Sequence, residues 1–178
     1  MNRNLPTIRP ARPDDAVAIA ALATQVFLDT YAIEGVRPDL AREAFEEYSE
    51  DAFSTRLRDP LRHFILAERG PGLVGFAELI VAARIAPAGS VTGAELVRLY
   101  VQPAFQRQGS GRLLLGAAER AMEARGIGAL WLTAWEGNHR ARGFYSASGY
   151  EDVGETGYAI QGQTYANRVF AKRLGERP

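Results

Sequence analysis

The sequence "QRQGSGR", residues 106–112, joins two apolar runs of different periodicity, and this junction restricts the fold more than any other feature of the chain. The run before it, residues 96–101, is typical of a buried strand, whereas residues 113–122 repeat apolar side chains at helical spacing. A strand that passes through a glycine-containing loop into a helix predicts a sheet with helices packed against it.

The rest of the chain has similar segments. Strand patterns occupy residues 7–11, 63–69, 72–85, 94–101, 129–135 and 164–174, and helical patterns occupy residues 13–26, 38–60, 111–126 and 138–150. In the first helical segment the predicted apolar face consists of Val17, Ala21, Leu22 and Val26. No linker divides the chain, so we predict one α/β domain over residues 5–174.

Composition excludes several classes of function. The 21 basic and 21 acidic residues give zero net charge, which disfavours nucleic acid as a partner. The chain has no cysteine, and His63 and His139 lack the spacing of metal ligands, so we expect no metal. We also expect no membrane partner, because no run has the length of a signal peptide or a membrane span. These features favour the cytoplasm.

The loop at residues 106–112 has the chemistry of an anion site. The first N–H groups of a helix lack intrahelical partners, and the helix dipole places partial positive charge beside them. Gly109 and Gly111 leave those groups accessible, and Arg107 and Arg112 add full charges. The glycine pattern alone fits an ordinary strand-to-helix turn equally well.

Two phosphate-binding motifs are excluded by single residues. Arg112 stands directly after Gly111, where a P-loop requires lysine, and Leu114 stands where a dinucleotide-binding fingerprint requires its third glycine.

A second segment, "NHRARGFYSASGY" at residues 138–150, gives the loop a context. Together with residues 106–112, and with "RPARPDDAVAIAAL" near the start, it strongly resembles the GCN5-related N-acetyltransferase (GNAT) family. The matching positions are Gln106, Gly109 and Gly111 in the first motif, and Asn138, Ala141, Phe144, Tyr145, Gly149 and Tyr150 in the second.

The resemblance implies a mixed, mostly antiparallel twisted sheet flanked by helices, with a splayed strand pair for acetyl-CoA. The cofactor's pyrophosphate would be held by the loop residues, which are Gln106, Arg107, Gln108, Gly109, Ser110, Gly111 and Arg112. Pantetheine would lie along Leu99, Tyr100 and Val101, and the N–H of Leu99 would polarise the acetyl oxygen. Asn138 would bind or position the pantetheine arm.

The resemblance also implies catalytic roles. Tyr145 matches the family tyrosine that faces the sulfur, where a phenol can protonate the leaving thiolate; an aromatic residue on such a helix can equally be core. Glu95 is the candidate general base, with a plain strand-end carboxylate as the alternative reading. The other candidate bases are Glu34, Glu78, Glu136 and an ordered water chain.

The substrate that accepts the acetyl group is predicted less precisely than the cofactor. The chain looks most like the bacterial spermidine/spermine-type acetyltransferases, which implies a small-molecule amine such as a polyamine. Tyr31 is a candidate acceptor contact, and an acidic run of Glu43, Glu46, Glu47, Glu50 and Asp51 fits either a polycation or a solvated helix face. A protein N-terminus or lysine as acceptor, or a non-catalytic acyl-CoA-binding module, remain the alternatives. The exposed sheet edges allow a homodimer, which relatives often form.

Overall fold

A computed structural model describes residues 5–87, 89 and 91–175. In chain order the elements are β1 (Thr7–Pro10), α1 (Ala16–Tyr31), α2 (Pro38–Glu47), α3 (Glu50–Arg58), β2 (Arg62–Arg69), β3 (Gly72–Ile85), β4 (Thr92–Val101), α4 (Ser110–Glu123), β5 (Ala129–Trp135), α5 (His139–Ala147), β6 (Glu151–Ile160) and β7 (Gln163–Arg173). Short 3₁₀ turns at Pro13–Asp15 and Pro103–Phe105 precede α1 and the loop before α4.

The strands form one sheet in the order β1-β2-β3-β4-β5-β7-β6. The pairs β1/β2, β5/β7 and β6/β7 are antiparallel, and β4/β5 is parallel through two register pairs, Ala94 with Leu130 and Glu95 with Trp131. The predicted fold class, an α/β domain with a mixed and mostly antiparallel sheet, is confirmed. Among the described residues, those up to 78 together with 98–117 form one compact unit, and those in 79–97 together with those from 118 onward form another.

Aromatic rings form the core of the first unit. Phe53 lies edge-on to Phe76 and Phe64, with ring centroids 5.9 and 6.2 Å away. Tyr48 joins this group through Phe53 and is 4.8 Å from the ring of Phe27 on α1. Such offset and edge-on pairs are favoured by the ring quadrupoles.

The buried face of α1 differs from the predicted one. Val17 is 56% exposed, and of the four predicted residues only Leu22 is buried. The core-facing residues are Ala16, Ile19, Ala20, Leu22, Ala23 and Phe27. This helix is apolar at most positions, so several stripes satisfy helical periodicity and packing selects among them.

A buried ion-pair network crosses the first unit. Glu78 is 0% exposed, and its two carboxylate oxygens accept hydrogen bonds from Arg62 and from Arg98, the latter at 2.5 Å. Arg98 also donates to Glu47 at 2.6 Å, and Glu47 pairs with Arg56. The network therefore joins α2 and α3 to three neighbouring strands, and it explains one member of the acidic run, Glu47, as a structural residue.

In the second unit, the predicted helix boundaries follow from their caps. Gly126 has φ +72°, and the N–H of Ile127 donates to the carbonyl of Met122, which closes α4. Asn138 caps α5, because its Oδ1 accepts from the N–H of Ala141 at 3.0 Å.

The edge strand β6 was absent from the predicted strands. Its sequence, "EDVGETGYAI", is polar and contains two glycines. Residues Glu151, Asp152, Glu155, Gly157 and Ala159 are exposed, so this edge strand shows little of the apolar pattern of a buried strand. A tight turn with positive φ at Gln161 and Gly162 connects it to β7.

We predict that Glu78→Gln lowers the free energy of unfolding by about 3 kcal/mol, since it leaves Arg98 with a neutral partner in a buried site. Chemical denaturation measures the change. The matched control is Glu155→Gln, which removes a carboxylate that is 80% exposed from an ion pair with Arg168; it should change stability by no more than about 0.5 kcal/mol. Equal effects of the two substitutions would contradict the structural role of Glu78.

Candidate active site

The loop between β4 and α4 is held by its own side chains. Gln106 Nε2 donates to the carbonyl of Val101 at 2.8 Å, and Gln108 Nε2 donates to the carbonyl of Ala104 at 2.8 Å. Ser110 is 3% exposed, and its hydroxyl donates a hydrogen bond to the carbonyl of Phe105 at 3.3 Å. These three side chains therefore form hydrogen bonds within the loop. What the three residues offer a ligand is their backbone groups.

The loop backbone has the shape of an anion cradle. Arg107 and Gly109 have φ values of +59° and +92°, and left-handed residues in such a turn direct successive N–H groups toward one point. Ser110, Gly111 and Arg112 form the first turn of α4, whose N–H groups have no intrahelical acceptor, and the N–H of Leu113 makes the first bond, to Gly109. A non-glycine residue at positive φ is uncommon and often marks a functional site.

Positive charge surrounds this cradle. Arg107 and Arg112 are exposed, as expected of residues that meet a charged ligand. The structure adds Arg69, at the end of β2, which donates to Gln108 Oε1 at 3.2 Å and lies 5.5 Å from the centroid of the Phe105 ring. No sequence signal identifies Arg69, because 39 positions separate it from Gln108 and only the fold brings the two together.

The end of β4 holds the three residues predicted to bind pantetheine. Tyr100 directs its ring to Phe76 at 5.5 Å, and its hydroxyl is 3.3 Å from that of Tyr48. A Cβ at Gly75 would stand 2.7 Å from the carbonyl oxygen of Tyr100, so only glycine allows β3 to approach here. Val101 is buried, and Leu99 is half-buried.

Tyr145 lies on α5 in the second unit and is 8% exposed. Its ring is 5.3 Å from that of Phe144, 5.9 Å from Tyr150 and 6.1 Å from Phe170. The hydroxyl of Tyr150 is buried, and burial, followed by the charge of Glu119 and a hydrogen bond with it, raises its pKa. Two tyrosines of similar burial therefore stand side by side, and only Tyr145 matches a catalytic position of the sequence motif.

Glu95, the candidate base, is near the start of β4. Its side chain is 22% exposed and accepts from Arg84 at 3.2 Å. The alternative Glu78 is unsuited to accept a proton, since both of its oxygens are held by arginines inside the first unit. Glu34 and Glu136 are exposed.

Tyr31 and Asn138 occupy different environments. Tyr31 ends α1, is half-buried, and lies 5.2 Å from the ring of Phe27. Asn138 uses its Oδ1 as the cap of α5, so only its amide Nδ2 is left to serve a ligand.

Among the described residues, no group of three or more potential ligand side chains could hold a metal ion. Within the same ranges, no helix combines the length and the apolar character that crossing a membrane requires.

Comparison with known proteins identifies the family whose members share these features. Residues 27–150 match the model of the acetyltransferase (GNAT) family, which covers both motifs and the strands between them. An N-acetyltransferase from Lactobacillus delbrueckii subsp. lactis, encoded in the pepI 3' region and described as uncharacterized, is 24% identical over 160 residues, covering 90% of this chain and 92% of that protein.

Two further proteins are similar to the chain. The ribosomal protein bS18-alanine N-acetyltransferase of Haemophilus ducreyi is 40% identical over 60 residues, 34% of this chain and 41% of that protein. The crystal structure of PaiA N-acetyltransferase from Thermoplasma acidophilum in complex with coenzyme A matches with a TM-score of 0.72 and 23% identity, covering 94% of this chain and 98% of that chain.

We predict that Gly109→Ala weakens coenzyme A binding about tenfold, because a Cβ disfavours the left-handed backbone that the cradle requires. Isothermal titration calorimetry measures the affinity. Gly126→Ala is the matched control, since Gly126 also has positive φ and open space around it but ends α4 instead of beginning it. The control should lose similar stability and keep its affinity. Equal affinities for both variants would reject the loop as the site.

Proposed function

Because the chain belongs to the acetyltransferase (GNAT) family, whose model matches residues 27–150, we propose that it transfers an acetyl group to the primary amine of a small molecule. The chain is an acetyl-CoA-dependent N-acetyltransferase. The observation that carries the proposal is the loop before α4, which gathers backbone N–H groups and arginines of the kind that bind a diphosphate. The amine attacks the thioester directly in a ternary complex.

In our proposal, the loop holds the pyrophosphate of acetyl-CoA through its backbone N–H groups; the left-handed turn and the bonds of Gln106 and Gln108 to carbonyls of the same loop support this. When bound, the cofactor supplies an acetyl thioester. In our proposal, backbone groups of Leu99, Tyr100 and Val101 bind the pantetheine arm, and Asn138 positions it through Nδ2. The N–H of Leu99 stabilises the oxygen that gains charge during attack, an effect worth about 3 kcal/mol in comparable sites.

We assign Tyr145 to the departure of the thiolate. Its ring is fixed by Phe144, Tyr150 and Phe170, so its hydroxyl is held in one place without a large entropic cost on binding. A phenol donates a hydrogen bond or a proton to a sulfur that becomes negatively charged.

Tyr145→Phe should lower kcat by about 10²-fold, which is the low end of the contribution from a general acid, and should leave the affinity for acetyl-CoA unchanged. Steady-state kinetics and calorimetry separate the two quantities. Tyr150→Phe is the control: it removes the buried hydroxyl of the neighbouring ring, which lies beside Glu119 and matches no catalytic position of the motif, so kcat should be retained. A Tyr145→Phe enzyme with full kcat would reject the assignment.

We propose Glu95 as the group that accepts the proton of the amine through water. A primary alkylamine has a pKa of about 10.4 and is mostly protonated at neutral pH, so a base must act before attack. The ion pair with Arg84 orients the Glu95 carboxylate.

Glu95→Gln should reduce kcat/KM at neutral pH by about 10²-fold, and the loss should shrink as pH rises, because the amine then loses its proton in solution. The pH dependence of kcat/KM tests this. Glu136→Gln, at an exposed position on the same unit, should leave the profile unchanged. A profile unaffected by Glu95→Gln would favour a water chain as the base.

The acceptor that we favour is a small amine, with polyamines as the leading class. Support comes from Tyr31 at the end of α1 and from the exposed carboxylates Glu46, Glu50 and Asp51 beyond it, since aromatic rings and negative charge both attract polycations.

One observation favours a second candidate. The similarity to ribosomal protein bS18-alanine N-acetyltransferase over 60 residues supports a protein N-terminus as acceptor. A panel of alkylamines, diamines, spermidine and an alanine-initiated peptide, read by release of free coenzyme A, distinguishes the two. We expect kcat/KM for the best small amine to exceed that for the peptide at least tenfold. The reverse order would select the second candidate, and acetyl-CoA binding without any turnover would select a non-catalytic module.

A further inference from the structure

One face of the strands β5 and β7 carries a polar group that has no hydrogen-bond partner in the part of the chain that the structure describes. Side chains alternate along a strand, so Trp131, Thr133 and Trp135 share a face of β5. The register pairs Trp135 with Asn167 and Thr133 with Val169, which places these β7 residues on the same face. Glu95 is in register with Trp131, so it lies on this face as well.

The two ends of this face differ in chemistry. Near Trp131 an apolar cluster of Trp131, Val169, Ala171 and Ala86 fills the surface. Beyond Thr133 the same face carries Asn167, with Trp135 opposite it and Tyr165 two positions before it on β7. At about 3.3 Å per residue, the row of Asn167 lies about 13 Å along the strands from the row of Glu95.

Asn167 is 5% exposed, and its Oδ1 has no hydrogen-bond partner among the described residues. Its Nδ2 donates to the hydroxyl of Thr133 at 3.4 Å. An unpaired carbonyl in a buried place loses its hydrogen bonds to water without a replacement, and an apolar residue of similar size would avoid this cost. The unpaired oxygen therefore requires an explanation beyond packing.

Two aromatic rings lie beside this amide. Trp135 and Tyr165 meet edge-to-face with centroids 6.3 Å apart. The Trp135 ring is fixed over Gly137, where a Cβ would stand 2.5 Å from the ring. Tyr165 lies near the exposed turn before β7 and has its hydroxyl 3.4 Å from Gln163, so it is the ring best placed to move aside. Aromatic faces beside a carbonyl oxygen are suited to an amine, whose N–H groups donate and whose charge is attracted by the rings.

We infer that Asn167 is a specificity-determining residue that accepts a hydrogen bond from a second amino group of the acceptor, remote from the reacting amine. This inference rests on the proposed function and deepens it: the preferred acceptor is an α,ω-diamine or a longer polyamine. The second amine lies between Trp135 and Tyr165, beside the Asn167 amide.

The test uses the full-length protein with diamines from 1,4-diaminobutane to 1,10-diaminodecane. Each is paired with the alkylamine in which a methyl group replaces the second amino group. The wild type should prefer the diamine in at least one pair. Asn167→Leu should lower kcat/KM for that diamine about tenfold, the effect of about 1.4 kcal/mol for one hydrogen bond, and should change the alkylamine value less than twofold.

Two further measurements exclude a purely structural role. Asn167→Leu removes an unpaired polar atom, so its Tm should equal or exceed that of the wild type. Asn167→Asp should restore the diamine preference, because a carboxylate also accepts from an ammonium group. Equal losses for diamine and alkylamine, or no loss for either, would overturn the inference.

Failure of this inference is distinguishable from failure of the proposed function. If the wild type acetylates alkylamines and diamines equally well, the proposed acetyltransferase function is supported and the proposed role of Asn167 is rejected. If no amine is acetylated, the function falls, and calorimetric titration of the diamines into wild type and Asn167→Leu, both saturated with coenzyme A, decides the role of Asn167. Equal binding or no binding by the two proteins would reject it.

Discussion

The backbone at the end of β4 is the constraint on which the site depends. Within a few residues the chain leaves a strand, makes a 3₁₀ turn, passes through two left-handed residues and starts a helix at Ser110. Arg107 bears a Cβ in a conformation that favours glycine, and side-chain bonds from Gln106, Gln108 and Ser110 hold the turn in place. A loop stabilised in this way keeps its N–H groups directed outward before any anion arrives, and such preorganisation reduces the entropic cost of binding.

The strand that feeds this loop is itself fixed from the interior. Arg98 directly precedes the positions that we propose to bind pantetheine, and it is held by two carboxylates, one of them fully buried. Desolvation lowers the pKa of Arg98, but the charge of Glu78, the nearby Tyr100 and Tyr48 and the hydrogen bond to Glu78 together outweigh it, and the pKa lies well above the ordinary value. A buried ion pair contributes little net stability compared with apolar packing, but it enforces one arrangement because each alternative leaves a charge unpaired. We interpret the network as a device that fixes the position of β4 against α2 and α3.

Much of the fold could be predicted from local sequence, for reasons visible in particular residues. Gly126 and Asn138 mark helix ends because their conformations and bonds involve only neighbours in the chain. Periodicity failed for α1, where Val17 is exposed, since a helix that is apolar nearly all round does not specify which stripe is buried. It also failed for β6, an edge strand with a largely exposed face.

In the candidate site, too, some residues can be predicted from local sequence and others only from the fold. The loop and Tyr145 belong to short motifs, so sequence alone predicts them. Arg69 and Asn167 gain their significance from residues 39 and 34 positions away, Gln108 and Thr133, and no local pattern contains that information. Groups that bind the shared part of a substrate can be encoded in contiguous segments, because that part is the same in every relative. Groups that select the variable part are contributed by whichever strands the fold places beside it. In our proposal, Asn167 contributes to the choice of acceptor, and it reaches its place through the register of β7 with β5, which no short motif encodes.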